Sequence, residues 1–528
     1  MITIRAVCRQ PFLLLAAVLP ALIGDARAQT VIETPYSTAT DGAITNGSWD
    51  IYNDGVATFG TIDANSAFGI SGGTEVFHDM ATLTGSIANA ITDGTQQFHN
   101  SSTLTAGTGA ITGGTQQFYG VNFTPSATGI FAGGTQQFYG ASIFTASMAD
   151  TLNAASQQFY NSSHLTASAA NAISGGSQGF YGTSQLTASA ANAISGGGQT
   201  FYATSQFTAS TANAISGGNQ NFYENGTLTV TAAGAISGGA KNFYATSTLD
   251  LNVAGGISGG SQSFHEQSSL NANAAHALDN SSDMYLYDSS TLNANIADST
   301  AGGTIRIFQD AKVSVNVDGA LGAGTAIYFD SSFGRSGSLE LNGHSATVGA
   351  INNTSGPGGT IRNATSAVGS ATLTVDTAGA TSFFGLVEDG AGSLAISKTG
   401  IGSLELHGAN TYTGGTTISG GTLFANNTIG SATGSSAVTV LSGGTLGGNG
   451  IVSGTVDVAG ILSPGAAPAT TGTLTTGAEQ WNGGGTYLWD IANVIPTPGS
   501  QDFLAINGAL SIASDNVTPF TIAIGSLG

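Results

Sequence analysis

The chain has 528 residues, with nine Lys and Arg against 30 Asp and Glu, and glycine fills 79 positions. So few cations cannot line a phosphate-neutralising groove, which argues against nucleic acid and anionic lipid surfaces as partners. Only 7% of the residues are charged and 41% are hydrophobic, which favours an ordered, repetitive core over disorder.

The first 28 residues have the pattern of a secretory signal peptide. Arginines precede a short apolar run at residues 12–23, and Ala-Arg-Ala at 26–28 forms a cleavage site. The run is too short for a permanent membrane helix and no later stretch is long enough, so we predict no transmembrane segment in the mature chain. We expect residues 29–528, with a net charge of −23 and no cysteine, to be exported to the cell surface, the outer membrane or the extracellular space.

A phenylalanine then returns every 20 or 21 residues, which indicates a stack of one repeated unit. Apolar residues stand seven before and six after it, which predicts three short inward-facing strands per rung. Paired glycines disfavour helix and suit corners. We therefore predict an all-β, single-stranded parallel β-helix with rungs of about 21 residues. The column consists of Phe77, Phe98, Phe118, Phe138, Phe159, Phe180, Phe201, Phe222, Phe243 and Phe264.

A glutamine column stands two residues before the phenylalanines, with Glu75 and Lys241 as departures. Residues two apart share a strand face, so the glutamines either stack beside phenylalanine inside the rung or lie at a corner. The first arrangement predicts a structural amide ladder, and glycan binding is the alternative role. The column consists of Gln96, Gln116, Gln136, Gln157, Gln178, Gln199, Gln220 and Gln262.

An aromatic column follows the phenylalanines directly, and alternation turns it toward solvent. It could contact sugar rings or a partner, or it could stiffen the solenoid by ring-on-ring packing. His78, His99 and His265 replace tyrosine in it, and we interpret them as substitutes rather than metal ligands. We call its tyrosines the aromatic stripe: Tyr119, Tyr139, Tyr160, Tyr181, Tyr202, Tyr223 and Tyr244.

Beyond the phenylalanines, Leu286 and Leu292 continue the apolar columns after one inserted residue, and the period is lost near residue 335. A second motif follows at residues 398–423, where alternation predicts a strand and paired glycines mark turns. It closely resembles the autotransporter-associated β-strand repeat, also called the passenger-associated transport repeat. The matching residues are Lys398, Gly400, Gly402, Leu404, Leu406, Gly408, Asn410, Tyr412, Gly414, Gly415, Gly421 and Leu423.

Residues 443–465 resemble the usual companion of that repeat, and the Gly-Gly-Thr-Gln-Gln-Phe units resemble, less specifically, AIDA-type adhesin passengers. These resemblances imply a right-handed β-helical passenger that is exported across the outer membrane and displayed or released. They also imply roles in adhesion, aggregation and biofilm formation. The membrane β-barrel of an autotransporter does not follow before Gly528, so we expect a fragment or another export device.

The predicted organisation has six parts. They are a signal peptide (1–28), an N-terminal cap (29–69), the 21-residue-repeat β-helix (70–335), a less regular solenoid (336–390), the autotransporter-associated repeat region (391–475) and a β-rich C-terminal end (476–528).

The leading functional hypothesis is a non-enzymatic structural adhesin without cofactor or metal. Its expected partners are host, environmental or bacterial surface glycans or proteins, with self-association as a further option. The second hypothesis is an extracellular amyloid-like fibre subunit, because Asn89, Asn171, Asn192 and Asn213 add a partial asparagine column to the glutamines. The third is a polysaccharide-degrading β-helix enzyme. Only Arg306, Asp310 and Lys312 fall close enough together for such chemistry, and we interpret them as solvated charges.

Overall fold

The computed structural model describes residues 29–32, 36–37, 41–53, 61–278, 283–300, 302–332, 337–356, 358–364, 368–493 and 499–527. The predicted signal peptide lies outside these residues. Within them the chain forms 51 β-strands, which make up nearly all of the regular structure. The chain divides into two compact units, residues 1–242 and 243–528.

The strands of the first unit are mostly four residues long. They are β1 (Gln29–Ile32), β2 (Tyr36–Ser37), β3 (Ser48–Asn53), β4 (Thr61–Ala64), β5 (Ile70–Asp79), β6 (Thr82–Gly85), β7 (Ile91–His99), β8 (Thr103–Ala106), β9 (Thr115–Tyr119), β10 (Asn122–Phe123), β11 (Thr135–Tyr139), β12 (Ile143–Ala146), β13 (Ser156–Phe159), β14 (His164–Ala167), β15 (Ser177–Phe180), β16 (Gln185–Ala188), β17 (Gly198–Phe201), β18 (Gln206–Ala209), β19 (Asn219–Phe222) and β20 (Thr227–Val230).

Strand β21 (Ala240–Phe243) crosses the division between the units. The second unit continues with β22 (Thr248–Leu251), β23 (Ser261–Phe264), β24 (Ser269–Ala272), β25 (Asp283–Leu286), β26 (Thr291–Ala294), β27 (Gly303–Phe308), β28 (Lys312–Val315), β29 (Thr325–Asp330), β30 (Ser338–Glu340), β31 (Ala346–Val348), β32 (Ala350–Ser355), β33 (Thr360–Arg362), β34 (Ala371–Asp376), β35 (Ala380–Phe383), β36 (Leu386–Glu388), β37 (Leu394–Thr399), β38 (Ser403–Leu406), β39 (Thr416–Ile418), β40 (Gly421–Ala425), β41 (Val438–Val440), β42 (Gly444–Gly448), β43 (Ile451–Val452), β44 (Val456–Val458), β45 (Ile461–Pro464), β46 (Thr473–Thr476), β47 (Glu479–Asn482), β48 (Thr486–Ile491), β49 (Phe503–Ile506), β50 (Leu510–Ala513) and β51 (Thr521–Ser526).

In the first unit, parallel sheets join each strand to the equivalent strand of the next rung. One sheet runs through the odd-numbered strands from β1 to β19, a second through β2, β4, β6 and β8, and a third through the even-numbered strands from β10 to β20. The register follows the repeat, because Gln157 pairs with Gln178 and Phe159 with Phe180. The predicted parallel β-solenoid with rungs of about 21 residues is thus confirmed.

The third side of each rung differs from the prediction of a third strand. From Ile91 onward the isoleucine column pairs through isolated bridges, such as Ile173 with Ile194, whereas Ile70 pairs with Ile91 inside the strands β5 and β7. In most of these rungs a glycine corner begins two residues after the bridge. At Gly197 the backbone has a φ of +75°, and at Gly196 a Cβ would overlap the carbonyl oxygen of Ser174 in the preceding rung. The glycine corner is not the whole cause, because the same Ile-Ser-Gly-Gly sequence at residues 70–73 lies inside the strand β5.

The described phenylalanines of the first unit form one continuous buried stack. From Phe77 to Phe222, successive rings lie 4.6–5.0 Å apart at interplanar angles of 6–11°. This separation equals the spacing between hydrogen-bonded strands, so the backbone ladder places each ring against the next. One irregularity interrupts the neighbouring column, where Phe123 is buried in place of the expected Thr124 and the sheet of β8 does not continue into β10.

The glutamine column lies on the inner face, fully buried, and forms a directional amide ladder. Every Nε2 donates to the side-chain oxygen one rung earlier, at 2.7–2.9 Å, from Gln96 onto Glu75 and onward to Gln220. A backbone carbonyl three residues earlier accepts from the same Nε2 in most rungs, as Gly175 does for Gln178. That carbonyl requires a donor, so it determines which way each amide points. The amide-ladder interpretation is confirmed.

The ladder begins at Glu75, and Lys241 occupies the column position 21 residues after Gln220. The carboxylate of Glu75 accepts from Gln96, while the ammonium of Lys241 donates to the carbonyl of Gly238, as the glutamine amides do to theirs. Burial raises the pKa of Glu75 to about 7, opposed by the hydrogen bond from Gln96, and burial lowers the pKa of Lys241 to about 7. Glu75, whose carboxylate can only accept, therefore stands at the end of the ladder toward which every amide donates. Lys241, whose ammonium can only donate, stands beyond Gln220, at the end where a side-chain oxygen is left to accept.

In the second unit the rungs become less regular but the parallel pairing persists. Five sheets contain, in order, β23-β25-β27-β29-β32, β22-β24-β26-β28-β30-β33-β36, β31-β34-β37-β39-β41-β44-β47-β50, β35-β38-β40-β42-β45-β48-β51 and β43-β46-β49. Leu286 pairs with Phe264 and then with Ile307, as the columns predict. Further on, Lys312 pairs with Ser338 and Ser338 with Thr360, at intervals of 26 and 22 residues.

The partial asparagine column does not extend the inner ladder. Asn89, Asn171, Asn192 and Asn213 are exposed and adopt a positive φ of 53–58°, which asparagine tolerates better than most residues. Their backbone amides, rather than their side chains, connect the rungs, as when Asn171 N donates to Asn192 O at 2.7 Å. The hypothesis that they form an internal amide column was wrong, because corner geometry, not stacking, selects them.

The two ionisable residues of the glutamine column predict a stability profile with a minimum near neutral pH. Between its ordinary pKa of 4.5 and its folded pKa of about 7, Glu75 keeps a proton only in the folded chain, so the free energy of unfolding falls as pH rises through that interval. Lys241 behaves oppositely between about 7 and 10.5, where the unfolded chain holds the extra proton and the free energy of unfolding rises with pH. Urea unfolding of Glu75→Gln should lose the acidic slope, a difference of up to about 3 kcal/mol. Lys241→Gln should lose the alkaline slope.

The double variant should show smaller slopes than the wild-type chain on both sides of neutral pH. A wild-type chain whose urea midpoint does not change between pH 4.5 and pH 7 would contradict the burial of an ionisable Glu75.

Candidate functional site

The aromatic stripe lies on the outer face, as predicted, but its rings cover one another. In the first unit His78, His99 and the tyrosines from Tyr119 to Tyr223 stack in a single file, with centroids 4.5–5.4 Å apart. In the second unit Tyr244, His265, Tyr287 and Phe308 stack in the same way at 4.5–4.9 Å. Even Tyr202, the most exposed of these tyrosines, exposes only 36% of its surface. Because most ring faces are occupied, the stripe offers ring edges and hydroxyl groups rather than platforms for sugar stacking.

A second amide ladder braces the stripe from the side. Gln97, Gln117 and Gln137 each donate from Nε2 to the Oε1 of the next rung at 2.8–2.9 Å. The hydroxyl of Tyr160 donates to Gln158 Oε1 at 2.8 Å, and Tyr139 donates to Gln137 at 3.1 Å. This outer ladder points in the opposite direction to the inner one, so their amide dipoles oppose each other. Both observations favour the stiffening role of the stripe.

Lys398, the first residue of the second motif, is a fully buried cation at a corner. Its Nζ donates to the carbonyl oxygens of Thr399, Gly400 and Gly420, the last two at 3.1 Å. Burial lowers the pKa of Lys398, and the nearby Asp376 opposes that shift. The lysine thus joins corners of two successive rungs.

Asn410 connects three rungs through its side chain and backbone. Its Oδ1 accepts from Val387 N at 2.8 Å, and its Nδ2 donates to Ala432 O at 2.6 Å. Tyr412 is fully buried and shares a 2.6 Å hydrogen bond with Thr416, and burial raises its pKa. These two side chains are therefore structural, because every polar atom described here is directed at the solenoid itself.

The motif glycines are required by close approach between rungs. At Gly402 a Cβ would overlap the carbonyl oxygen of Gly379, and at Gly408 that of Gly385. A Cβ would also overlap a carbonyl oxygen of the preceding rung at Gly400, Gly414 and Gly421. Gly415 instead has a φ of +84°, which favours glycine. The motif leucines are all buried in the core: Leu404, Leu406 and Leu423. The sequence alone did not reveal these inter-rung contacts, because they join residues about 20 positions apart.

A polar groove in the second unit is the remaining candidate for a binding site. It has a volume of about 420 Å³ and is lined by Ser289, Asp310, Lys312, Gly337, Ser338, Glu340, Thr360 and Arg362. Arg306, which the sequence placed near Asp310 and Lys312, does not line it and instead lies over the rings of Tyr285 and Tyr328, 6.0 and 5.0 Å from their centroids. Sequence reasoning missed Glu340 and Arg362, which reach the groove only through inter-rung pairing.

Among the described residues, no cluster of three or more His, Cys, Asp or Glu is arranged to hold a metal ion. In the same part of the chain we find no helix with the length and hydropathy that crossing a membrane requires.

Phe180 and Tyr181 are neighbours in the chain but lie on opposite faces of the rung, so we expect their substitutions to lower the free energy of unfolding by different amounts. Phe180→Ala removes a fully buried ring stacked on both sides and should destabilise its rung by about 3–5 kcal/mol. Tyr181→Ala loses two outer stacking contacts, at about 1 kcal/mol each. Hydrogen exchange of the amides in β13, β15 and β17 measures both losses locally. Equal losses would show that the inner and outer faces are wrongly assigned.

Glycine substitution tests the close approach within the second motif. Gly402→Ala should destabilise the neighbouring rungs by about 1–3 kcal/mol, because the new methyl group displaces the backbone of Gly379. Gly379→Ala is the matched control, since no atom lies within 4 Å of its added Cβ. Exchange protection of the β38 amides should fall in the first variant alone, and similar protection in both variants would refute the contact.

Residues 396–423, which contain the whole second motif, match the family model of the passenger-associated-transport repeat. No curated protein matches the chain. The repeat implies secretion or surface display. The chain thus carries a passenger-associated-transport repeat within a β-solenoid, a combination that fits an autotransporter passenger.

Proposed function

We propose that the chain is a non-enzymatic passenger that is displayed on or released from a bacterial surface and promotes adhesion, aggregation or biofilm formation. The observation that carries this proposal is the second motif, whose Lys398, Asn410 and glycines contact other rungs. A motif built from inter-rung contacts serves a scaffold rather than a reaction. The export signal predicted at residues 1–28 supports display outside the inner membrane.

The proposed contact surface is the outer face of the rungs, where hydroxyl groups and ring edges recur in files. Side chains such as Thr166, Thr187 and Thr208 occupy equivalent positions on successive strands. A repeated hydroxyl surface can bind extended glycans or proteins at several rungs at once, so that weak contacts add to a useful avidity. The aromatic stripe contributes tyrosine hydroxyls to such a surface in this proposal.

Self-association into fibres is the second candidate. The buried ladder of side-chain amides, as between Gln157, Gln178 and Gln199, favours this hypothesis because amide ladders are also found in fibrous β-structures. Electron microscopy of the purified chain would show fibres under this hypothesis, and a stable monomer in sedimentation experiments would refute it.

Deletion of the gene from its source bacterium tests the adhesive proposal. We expect surface attachment or cell settling to fall severalfold, and complementation with the intact gene to restore it. Antibody labelling of whole cells would confirm surface display in the complemented strain. The stripe variant Tyr160→Ala/Tyr181→Ala/Tyr202→Ala, displayed at the same level, should attach less well if the stripe belongs to the contact surface.

Unchanged attachment and settling after deletion would overturn the adhesive proposal. Turnover of a polysaccharide by the purified chain would overturn its non-enzymatic part.

A further inference from the structure

Basic side chains are concentrated in one short part of this acidic chain. Residues 29–528 contain six Lys and Arg, and four of them lie between positions 302 and 364, where they equal the four acidic residues. The other two, Lys241 and Lys398, are fully buried. The rest of residues 29–528 therefore contains 25 acidic residues and no accessible basic residue. An anionic ligand would meet repulsion elsewhere and local neutrality here.

The polar groove is built on three consecutive strands of this segment. Lys312 on β28 pairs in register with Ser338 on β30, and Ser338 pairs with Thr360 on β33. Two residue pairs further along, Glu340 lies beside Arg362, and their side chains form a 2.6 Å ion pair. The groove thus combines hydroxyl groups at one end with an anchored guanidinium group at the other.

Unused hydrogen-bonding capacity in the groove lies mainly with donors. Glu340 Oε1 already accepts from Arg362 Nη2 and from Ser338 Oγ, and Asp310 is engaged in another interaction. By contrast, Arg362 Nε is shielded from solvent and has no hydrogen-bond partner among the described residues. Lys312 likewise has no ion-pair partner in the part of the chain that the structure describes. The groove therefore offers an ammonium group and a guanidinium group of which Glu340 engages one nitrogen.

We propose that this groove binds the carboxylate of a sugar ring, as in a uronate-containing polysaccharide. Lys312 and the guanidinium group of Arg362, whose side chain is 32% exposed, would donate to the carboxylate oxygens, because charge-assisted bonds of this type are the strongest available here. The hydroxyls of Ser338 and Thr360 and the carboxylate of Asp310 would bond to the ring hydroxyls. The inference rests on the proposed adhesive function for its biological role, and it names a ligand class and a site for that function.

The same residues disfavour other anions. Asp310 and Glu340 repel a dianion such as phosphate, whereas they accept hydrogen bonds from a polyhydroxylated ring. A volume of about 420 Å³ falls within the range of small-molecule sites. A peptide carboxylate would satisfy the two donors but would leave the ring-facing acceptors unused.

Calorimetric titration of the purified chain with trigalacturonate tests the site. The neutral galactose trisaccharide of the same length is the matched ligand, and an acetylated tripeptide with a free carboxylate is the second comparison. We expect trigalacturonate to bind at least tenfold more tightly than either, and to weaken as salt rises from 50 to 300 mM because the contact is ionic.

Substitutions locate the binding within the groove. Lys312→Gln should weaken trigalacturonate binding at least tenfold, while Lys312→Arg should retain most of it. Arg306→Gln removes the same charge outside the groove and should change the affinity less than twofold. Exchange protection of the β28 amides should be equal in all three variants, which separates lost binding from lost folding.

Failure of trigalacturonate to bind, or equal weakening by Lys312→Gln and Arg306→Gln, would overturn the site. Equal or tighter binding of the tripeptide would overturn the assignment to a sugar. Attachment of cells without uronate binding would remove this inference and leave the adhesive proposal intact. If the purified chain binds uronate but deletion of the gene leaves attachment unchanged, the adhesive proposal is overturned and the uronate site stands.

Discussion

The interaction on which the rest of this structure depends is the parallel pairing of each strand with its equivalent one rung later. That pairing places identical residues directly above one another at the spacing of a hydrogen-bonded ladder. A ring of phenylalanine stacks on its equivalent because the backbone has already brought the two to contact distance. The same constraint excludes a Cβ where carbonyl groups of neighbouring rungs meet, as at Gly196 and Gly402. Packing, hydrogen bonding and glycine placement are therefore consequences of one repeated spacing.

The buried polar side chains also bond from rung to rung. An isolated glutamine in an apolar core would be costly, but in a ladder each amide satisfies its neighbours, and only the ends stay incomplete. Glu75 stands at one end, and Gln220 Oε1 has no hydrogen-bond partner within the described residues at the other. The outer ladder points the opposite way, so the amide dipoles of the first unit partly cancel.

The fold was predictable wherever a column of like residues stands at a constant interval. Phenylalanine, glutamine and isoleucine positions gave the register correctly, because the period alone determines which residues pair. The short bridges at isoleucine were not predictable, since the same Ile-Ser-Gly-Gly sequence lies inside a strand at Ile70 and forms an isolated bridge at Ile194. The inner position of glutamine stayed open for a similar reason: alternation allows either an inner face or a corner, and only the geometry of the corner decides.

The candidate sites were less predictable than the fold. The stripe could be located from alternation, but the mutual covering of its rings follows from the inter-rung distance and the side-chain rotamers. The second motif was recognised from its residues, yet the burial of Lys398 among three carbonyls required the structure. The groove could not be predicted from columns of equivalent residues, because Lys312, Ser338 and Thr360 pair at unequal intervals after the period is lost.

The inner ladder also bears on how such a chain can change in evolution. Between Glu75 and Gln220 every glutamine is interchangeable with the next, since each donates backward and accepts forward. Gain or loss of a whole rung there would leave no amide unmatched and would move no corner out of place. Near-identical coding units are prone to unequal recombination, which produces changes of this kind. The number of rungs, and with it the distance from the cell at which a displayed chain can make contact, is thus a trait that selection can adjust in whole steps.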